Sequence, residues 1–384
     1  MKMNLREFIV NDREIMNSLP PEVKAKNDVI KLLGYLWDSV NDTLNIKIAQ
    51  MNIDHPTKRQ VASKFAETFD PIGLVTPISV PLKRLIQKMW EMDINWNAKL
   101  PPEALSDWRL IQKAFTDREI SCARPLRDDY SHTDFHMLIF SDASQDTYGA
   151  LAYGCFMYPN KKPVINLITS RNKIKPSRNS NWSIPKIELI GIEIGSSLAR
   201  SIIDEIRGLK VTTIRSLSDS MIALYWLLSD ECTRVWVANR RRSIQENTDI
   251  FRKCGTCTSH HCRTQDNSAD ITTRGMPTHV LKGHKPWFNG PAMLLQDPSQ
   301  WPCKLEGTIT CLTEFRELAQ SEIQRTSSST TAGLFASRTN CETSCFGSSS
   351  TLQTLKPTLH SHSVTDISLD TKWKIVCEED IKIL

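Results

Sequence analysis

Four acidic residues stand at positions where they could do chemistry together. Asp142 closes an apolar run in Phe140-Ser-Asp-Ala-Ser144, and Asp219 closes another in Leu217-Ser-Asp-Ser220. Glu188 sits early in a helical pattern, in Ile184-Pro-Lys-Ile-Glu-Leu189, and Asp270 opens a later one, in Asp266-Asn-Ser-Ala-Asp270. Carboxylates brought close repel and raise one another's pKa, and a hard divalent cation with oxygen ligands removes that cost. Magnesium takes a few carboxylates and completes its shell with water and substrate phosphate. Two such ions roughly 3.5–4 Å apart can activate a water and stabilise the leaving oxygen in phosphodiester cleavage. Each residue alone has an ordinary reading. A strand-end Asp forms turns, and a Glu in a first helical turn favours the helix dipole. The set of four, in this order, points to a metal site.

The elements that must position them are legible. Residues 135–141, 148–158 and 164–169 read as three strands of a meander, with short links carrying Asp, Gly, Asn and Pro. Ser183 caps a long helix with Pro185 in its first turn and an apolar stripe of Ile187, Ile190, Ile194, Leu198 and Ile202. Residues 211–217 read as a fourth strand, 221–228 and 235–244 as helices, 260–263 as a fifth strand, and a last helix starts near Ser268. With strands one and four as neighbours, their carboxyl ends bring Asp142 and Asp219 together, and the helix adds Glu188. Upstream, residues 1–125 read as mostly helical. Thr57 caps one helix, ended by Asp70-Pro-Ile-Gly73, and another runs over 80–90. Residues 32–37 and 42–48 read as two short strands.

The chain has 384 residues, 40% hydrophobic and 24% charged, which allows two or three domains with a sizeable core. The net charge of +5 is a mild basic excess and proves no nucleic-acid partner by itself. No apolar run reaches the length of a membrane span, and the first residues lack the apolar core of a signal peptide. Eleven cysteines at irregular spacing fit free thiols in a reducing compartment better than a disulfide framework. These features exclude a secreted scaffold, a transmembrane protein and a fibrous rod. Residues 320–384 are Ser/Thr-rich with fading apolar periodicity and read as disordered or poorly structured.

These blocks resemble the ribonuclease H (RNase H) region of Bel/Pao-family LTR retrotransposon polyproteins, which also goes under the name Pao retrotransposon peptidase. The resemblance rests on Phe140-Ser-Asp-Ala-Ser-Gln-Asp-Thr-Tyr-Gly-Ala150, Ser183-Ile-Pro-Lys-Ile-Glu-Leu189, Leu217-Ser-Asp-Ser220, Val237-Ala-Asn-Arg240 and Asp266-Asn-Ser-Ala-Asp-Ile-Thr-Thr-Arg-Gly275. Trp287-Phe-Asn-Gly-Pro291 and Trp301-Pro302 look like the segment that follows. Upstream, Leu33-Gly-Tyr-Leu-Trp37, Pro56-Thr-Lys-Arg59 and Phe69-Asp-Pro-Ile-Gly-Leu74 look like the reverse-transcriptase region after its palm.

The resemblance implies an α/β fold: an RNase H-like mixed five-stranded sheet with flanking helices over 133–278, after a thumb- or connection-like region over 1–125. A post-RNase H segment covers 279–319. It implies that Asp142, Glu188, Asp219 and Asp270 are catalytic and bind two magnesium ions, with manganese a substitute. The implied reaction is hydrolysis of the RNA strand of an RNA–DNA hybrid, with the rest of the polyprotein as partner and no membrane. The implied location is the cytoplasm, in a virus-like particle, or the nucleus. The alternative is an inactive relic that binds nucleic acid or a partner.

Other motifs bound the reading. The Asp128-Asp129 pair lacks the Tyr-x-Asp-Asp context of a polymerase turn, and no Asp precedes Thr-Gly or Ser-Gly as an aspartic protease needs. No DNA synthesis or peptidase activity is therefore expected of this chain. His279 and His284 with Cys303 and Cys311 have the wrong spacing for an integrase zinc module. Cys254, Cys257, His260, His261 and Cys262 are crammed into nine residues, and a strand there would alternate their faces. They read either as a zinc site or as ordinary thiols. His261 is a weak candidate for proton transfer. Arg171, Lys173, Lys175, Arg178, Asn239, Arg240, Arg241 and Arg242 are candidate phosphate contacts, with a solvated charged face as the other reading. Trp226 and Trp236 fall at apolar helical positions and read as core.

Overall fold

The computed structural model describes residues 7–177, 182–206, 208–229 and 235–302. Arg178, Cys303, Cys311 and the segment 320–384 lie outside the described residues, and the 279–319 segment is described only to 302.

The chain opens with a short helix, α1 (Arg13–Ser18), and three antiparallel strands, β1 (Val29–Leu32), β2 (Tyr35–Asp38) and β3 (Thr43–Lys47). Helices α2 (Lys58–Glu67), α3 (Thr76–Glu91) and α4 (Pro102–Ala114) follow. Strand β4 (Glu119–Ala123) then returns to pair with β3 and completes a four-stranded sheet. This corrects the expectation of a mostly helical region. The run 32–37 is two strands rather than one, because Leu33 and Gly34 turn the chain with φ of 48° and 93°. Strand β4 finds its partner across three helices, a pairing that no local pattern announces. Helix α2 starts where its sequence requires: Thr57 accepts from the Gln60 N–H while the Gln60 side chain accepts from the Thr57 N–H.

The second sheet carries the chemistry. Strands β5 (Asp134–Ala143), β6 (Thr147–Met157) and β7 (Val164–Ile174) form the expected antiparallel meander. Helix α5 (Ile184–Glu205) leads to β8 (Thr213–Ser218), which pairs parallel with β5. Helices α6 (Met221–Leu228) and α7 (Val235–Cys254) lead to β9 (Thr256–His261), parallel with β8. The order β7-β6-β5-β8-β9 is the mixed five-stranded sheet expected from the sequence. Helix α7 runs on to Cys254, past the expected end at 244, and β9 starts earlier than the expected 260–263. Short helices α8 (Asp270–Arg274), α9 (Thr278–Leu281) and α10 (Lys285–Asn289) close the described chain.

The two sheets share one core. Tyr35, Leu44, Leu74, Ile78, Leu82 and Trp108 pack in the same cluster as Leu138, Phe140, Leu151, Tyr153, Trp287 and Trp301. The loop after α2 makes the join. Asp70 accepts from the Leu74 and Val75 N–H groups and from the Tyr35 hydroxyl. Burial holds the Asp70 carboxyl above the usual carboxylate range. The turn runs through Gly73 at φ 75°, where an added Cβ would strike the Ser170 carbonyl. Its carbonyls meet the outer strand: Ile72 O accepts from the Ser170 N–H at 3.1 Å and the Thr169 hydroxyl at 2.8 Å. The edge of β7 is thereby covered at this point. Among the described residues, no helix is long and apolar enough to cross a membrane.

Candidate metal centre

Parallel pairing of β5 and β8 sets Ser141 opposite Ser218. The next residues are Asp142, the last but one of β5, and Asp219, the first after β8, and they stand side by side at the carboxyl ends of adjacent strands. Helix α5 lies low over β5 and β6 because Gly191 and Gly195 face the strands. A Cβ at Gly191 would sit 3.2 Å from the Asp142 carbonyl, and one at Gly195 would sit 2.8 Å from Ile139 Cγ2. Glu188 stands one turn before Gly191 on the same helix face, and so over Asp142. Carboxylate oxygens of Asp142, Glu188 and Asp219 all lie within 4.8 Å of one another.

The trio is buried on two sides. Asp142 and Glu188 are 5% and 9% exposed, and Asp219 is half-buried. The Thr273 hydroxyl donates to Asp142 Oδ2. Asn267 Nδ2 donates both to Asp219 Oδ1, at 3.1 Å, and to the Ser141 carbonyl, at 3.0 Å, and so straps the two strand ends together. Glu188 Oε2 is buried with no hydrogen-bond partner. Burial, then the charges of Asp142 and Asp219, push the Glu188 carboxyl up to about 9. Burial is also the main cause that pushes Asp142 up to about 6; Thr273 opposes it, and Asp219 and Asp270 add to it. An orphaned buried oxygen among carboxylates that resist ionising together fits a hard divalent cation, and an all-oxygen donor set fits magnesium or manganese.

Asp270 stands apart from the trio. Its carboxylate pairs with Arg274 Nε at 2.5 Å, and its charge still reaches Asp142. Among the described residues, Asp142, Glu188 and Asp219 are the one such cluster of His, Cys, Asp or Glu. Cys254, Cys257, His260, His261 and Cys262 form no second one. Strand β9 spreads most of that run, and His260 Nε2 meets Thr258 Oγ1 at 2.7 Å. His261 lies in β9 opposite Ser218, at the site's edge.

The candidate phosphate contacts fall in two places. Arg171 and Lys173 lie in β7 opposite Ala150 and Tyr148, and Lys173 is exposed. Asn239, Arg240 and Arg241 lie on α7, with Asn239 exposed. Arg240 stacks 4.1 Å from the Trp236 ring centroid, and Arg241 Nη1 donates to the Ser229 carbonyl at 2.5 Å. Trp226 is core as expected, whereas Trp236 is half-buried against Trp182 and Arg240. Sequence reading assigned no role to Asn267 or Thr273. Both sit inside the quoted block 266–275, and Thr273 is three residues after Asp270, on its helix face.

A mixed five-stranded sheet, helices along one face and clustered carboxylates at the carboxyl ends of its parallel strands define an RNase H-like α/β domain. Residues 57–220 match the sequence family described as the Pao retrotransposon-like RNaseH-like domain. The match opens at Thr57, the cap of α2, and so includes α2–α4 as well as β5–β8. No curated protein matches the sequence. Among solved structures, the foamy viral protease-reverse transcriptase dRH in complex with double-stranded DNA is 14% identical, with TM-score 0.40. The foamy viral protease-reverse transcriptase in complex with an RNA/DNA hybrid is 16% identical, with TM-score 0.38. The chain spans 39% and 30% of those two chains, which in turn align over 63% of it. RNase H1 from Halobacterium salinarum is 10% identical, with TM-score 0.22, over 35% of this chain and 90% of that one.

Proposed function

We propose that the chain is a metal-dependent ribonuclease that hydrolyses the RNA strand of RNA–DNA hybrids, as part of a retrotransposon polyprotein. The observation that carries this reading is the buried trio with its orphaned Glu188 oxygen. Asp142, Glu188 and Asp219 would hold the cations, with Asp270 on the adjoining helix as the fourth carboxylate. Bound magnesium, two ions in the full site, supplies water activation and charge neutralisation at the leaving oxygen. The protein's own residues do the rest. Thr273 and Asn267 fix the carboxylates they touch. Burial of Glu188, beside Asp142 and Asp219, keeps it proton-bearing at neutral pH until a cation displaces the proton.

Substrate would run along the carboxylate edge. Lys186 and Arg240 flank Trp236 beside the start of α5, and Lys173 and Asn239 are exposed at the rim. These groups suit a phosphate backbone. Choice of RNA would come from the 2′-hydroxyls and the shape of the hybrid. The cytoplasm, within a virus-like particle, or the nucleus is the location this reading requires. A second reading, a silent nucleic-acid-binding relic, is favoured by the Asp270 carboxylate being engaged on Arg274.

The test is cleavage of an RNA–DNA hybrid labelled on either strand, by the full chain, with magnesium or with EDTA. Loss of the RNA strand alone, only with metal, and a drop on the order of 10³-fold in Asp219→Asn are expected. A folded wild type that binds the hybrid and leaves it intact would establish the relic.

A further inference from the structure

The helix that carries the fourth carboxylate is gripped from outside the sheet. Three consecutive ties run from α3 to α8 and its exit. Pro81 lies inside α3 and has no N–H to give the Pro77 carbonyl one turn back. The Met276 N–H takes that carbonyl at 3.4 Å instead. The Lys83 ammonium reaches Asn172 Oδ1 at 2.5 Å, and Asn172 Nδ2 donates to the Thr272 carbonyl at 2.8 Å. Arg84 Nη2 lies 3.4 Å from the Thr147 hydroxyl and 3.5 Å from the Thr273 carbonyl. Thr273 is the residue whose hydroxyl holds Asp142.

Arg84 is an unexpected residue to find there. It is half-buried, and its Nε is sealed from solvent with no hydrogen-bond partner. An unpaired buried donor is costly, so the guanidinium's other end must be worth holding in place. The two groups it spans are the start of β6, beside the turn that follows Asp142, and the loop end of α8.

We infer that Arg84 is a positioning residue for the metal centre, acting through Thr273 on Asp142, so that α3 is a working part of the catalytic unit. The inference rests on the metal-centre reading above. Arg84 touches neither cation nor substrate. It fixes the α8 backbone at Thr273, and that fixes the rotamer of the carboxylate that must meet the cation. Partners one shell removed from a metal typically change its affinity about 10–100-fold when lost.

The test uses the full chain and two readouts. Manganese affinity is measured without substrate, from the paramagnetic resonance of the free ion, and hybrid cleavage is measured as kcat and KM. Arg84→Ala is expected to weaken manganese binding about 10-fold and to lower kcat at fixed metal, with KM for hybrid unchanged. The isosteric Thr273→Val does the same in a fold that keeps its packing, while Thr273→Ser retains wild-type affinity. Lys88→Ala breaks the α3 ion pairs to Glu103 and Asp107 and serves as the stability control. Wild-type manganese affinity in Arg84→Ala, or an equal loss in Lys88→Ala, overturns the inference. A chain that binds manganese but cuts no hybrid overturns the ribonuclease reading alone, and the affinities still decide the role of Arg84.

Discussion

Glu188 is the residue whose chemistry is most out of place without a cation. Its carboxyl stands at about 9 in the fold against an ordinary value of 4.5. At pH 7 without metal the folded state therefore keeps a proton that the unfolded chain releases. The sign follows from that difference. This group's contribution to stability is fully present below about 4.5 and is lost as pH rises through about 9. Glu188→Gln should then stabilise the metal-free protein by about 1–3 kcal/mol at pH 7, and should flatten the fall in stability between pH 5 and 9. Denaturant melts in EDTA across that range check it. Magnesium is expected to stabilise the wild type and not this variant. A metal-free Glu188→Gln protein less stable than wild type at pH 7 would mean that the oxygen has a partner in the fold.

At the scale of the element, α5 is a device for bringing one carboxylate down onto two strand ends. Its apolar stripe, read in the sequence from Ile187 to Ile202, is buried as expected. What the stripe does not say is how closely the helix approaches. Gly191 and Gly195 fix that distance, because the space a Cβ would need is filled by the Asp142 carbonyl and by Ile139. Gly195→Leu should therefore lift the helix. The packing cost of about 1–3 kcal/mol exceeds the roughly 1 kcal/mol that helix propensity returns. Denaturant midpoints should show the difference, and magnesium should bind more weakly because Glu188 moves with the helix. Strand β9 shows the reverse case. Its six residues alternate weakly in exposure, so their sequence placed the strand too late.

At the scale of the whole molecule, the upstream residues and the five-stranded sheet fold as one body. Loop 70–74 ties to β7, the Trp287 indole donates to the Leu74 carbonyl at 2.8 Å, and the Thr278 hydroxyl caps the chain at 116–117. A fragment of residues 130–302 would uncover the face around Leu138, Phe140, Leu151 and Tyr153. It is expected to bind 8-anilinonaphthalene sulfonate and to unfold without a sharp transition, whereas the full chain melts cooperatively. A cooperative, dye-free fragment would show that the sheet stands alone.

The sequence by itself determined the order of strands and helices in the second half and named Asp142, Glu188 and Asp219, in one set with Asp270, as oxygen donors that suit a hard divalent cation. Those features are local: an apolar run ending in Asp, a capped helix with Glu in its first turns. Only the tertiary structure decided the rest. The four-stranded upstream sheet depends on β4 pairing across three helices, which no local periodicity encodes. Asp270 turns to Arg274 because the two lie one helical turn apart, and the block that carries them gave no sign of which partner would win. Arg84 reaches the centre through a contact between residues far apart in the chain, and side-chain chemistry at such separation exists only once both elements have packed.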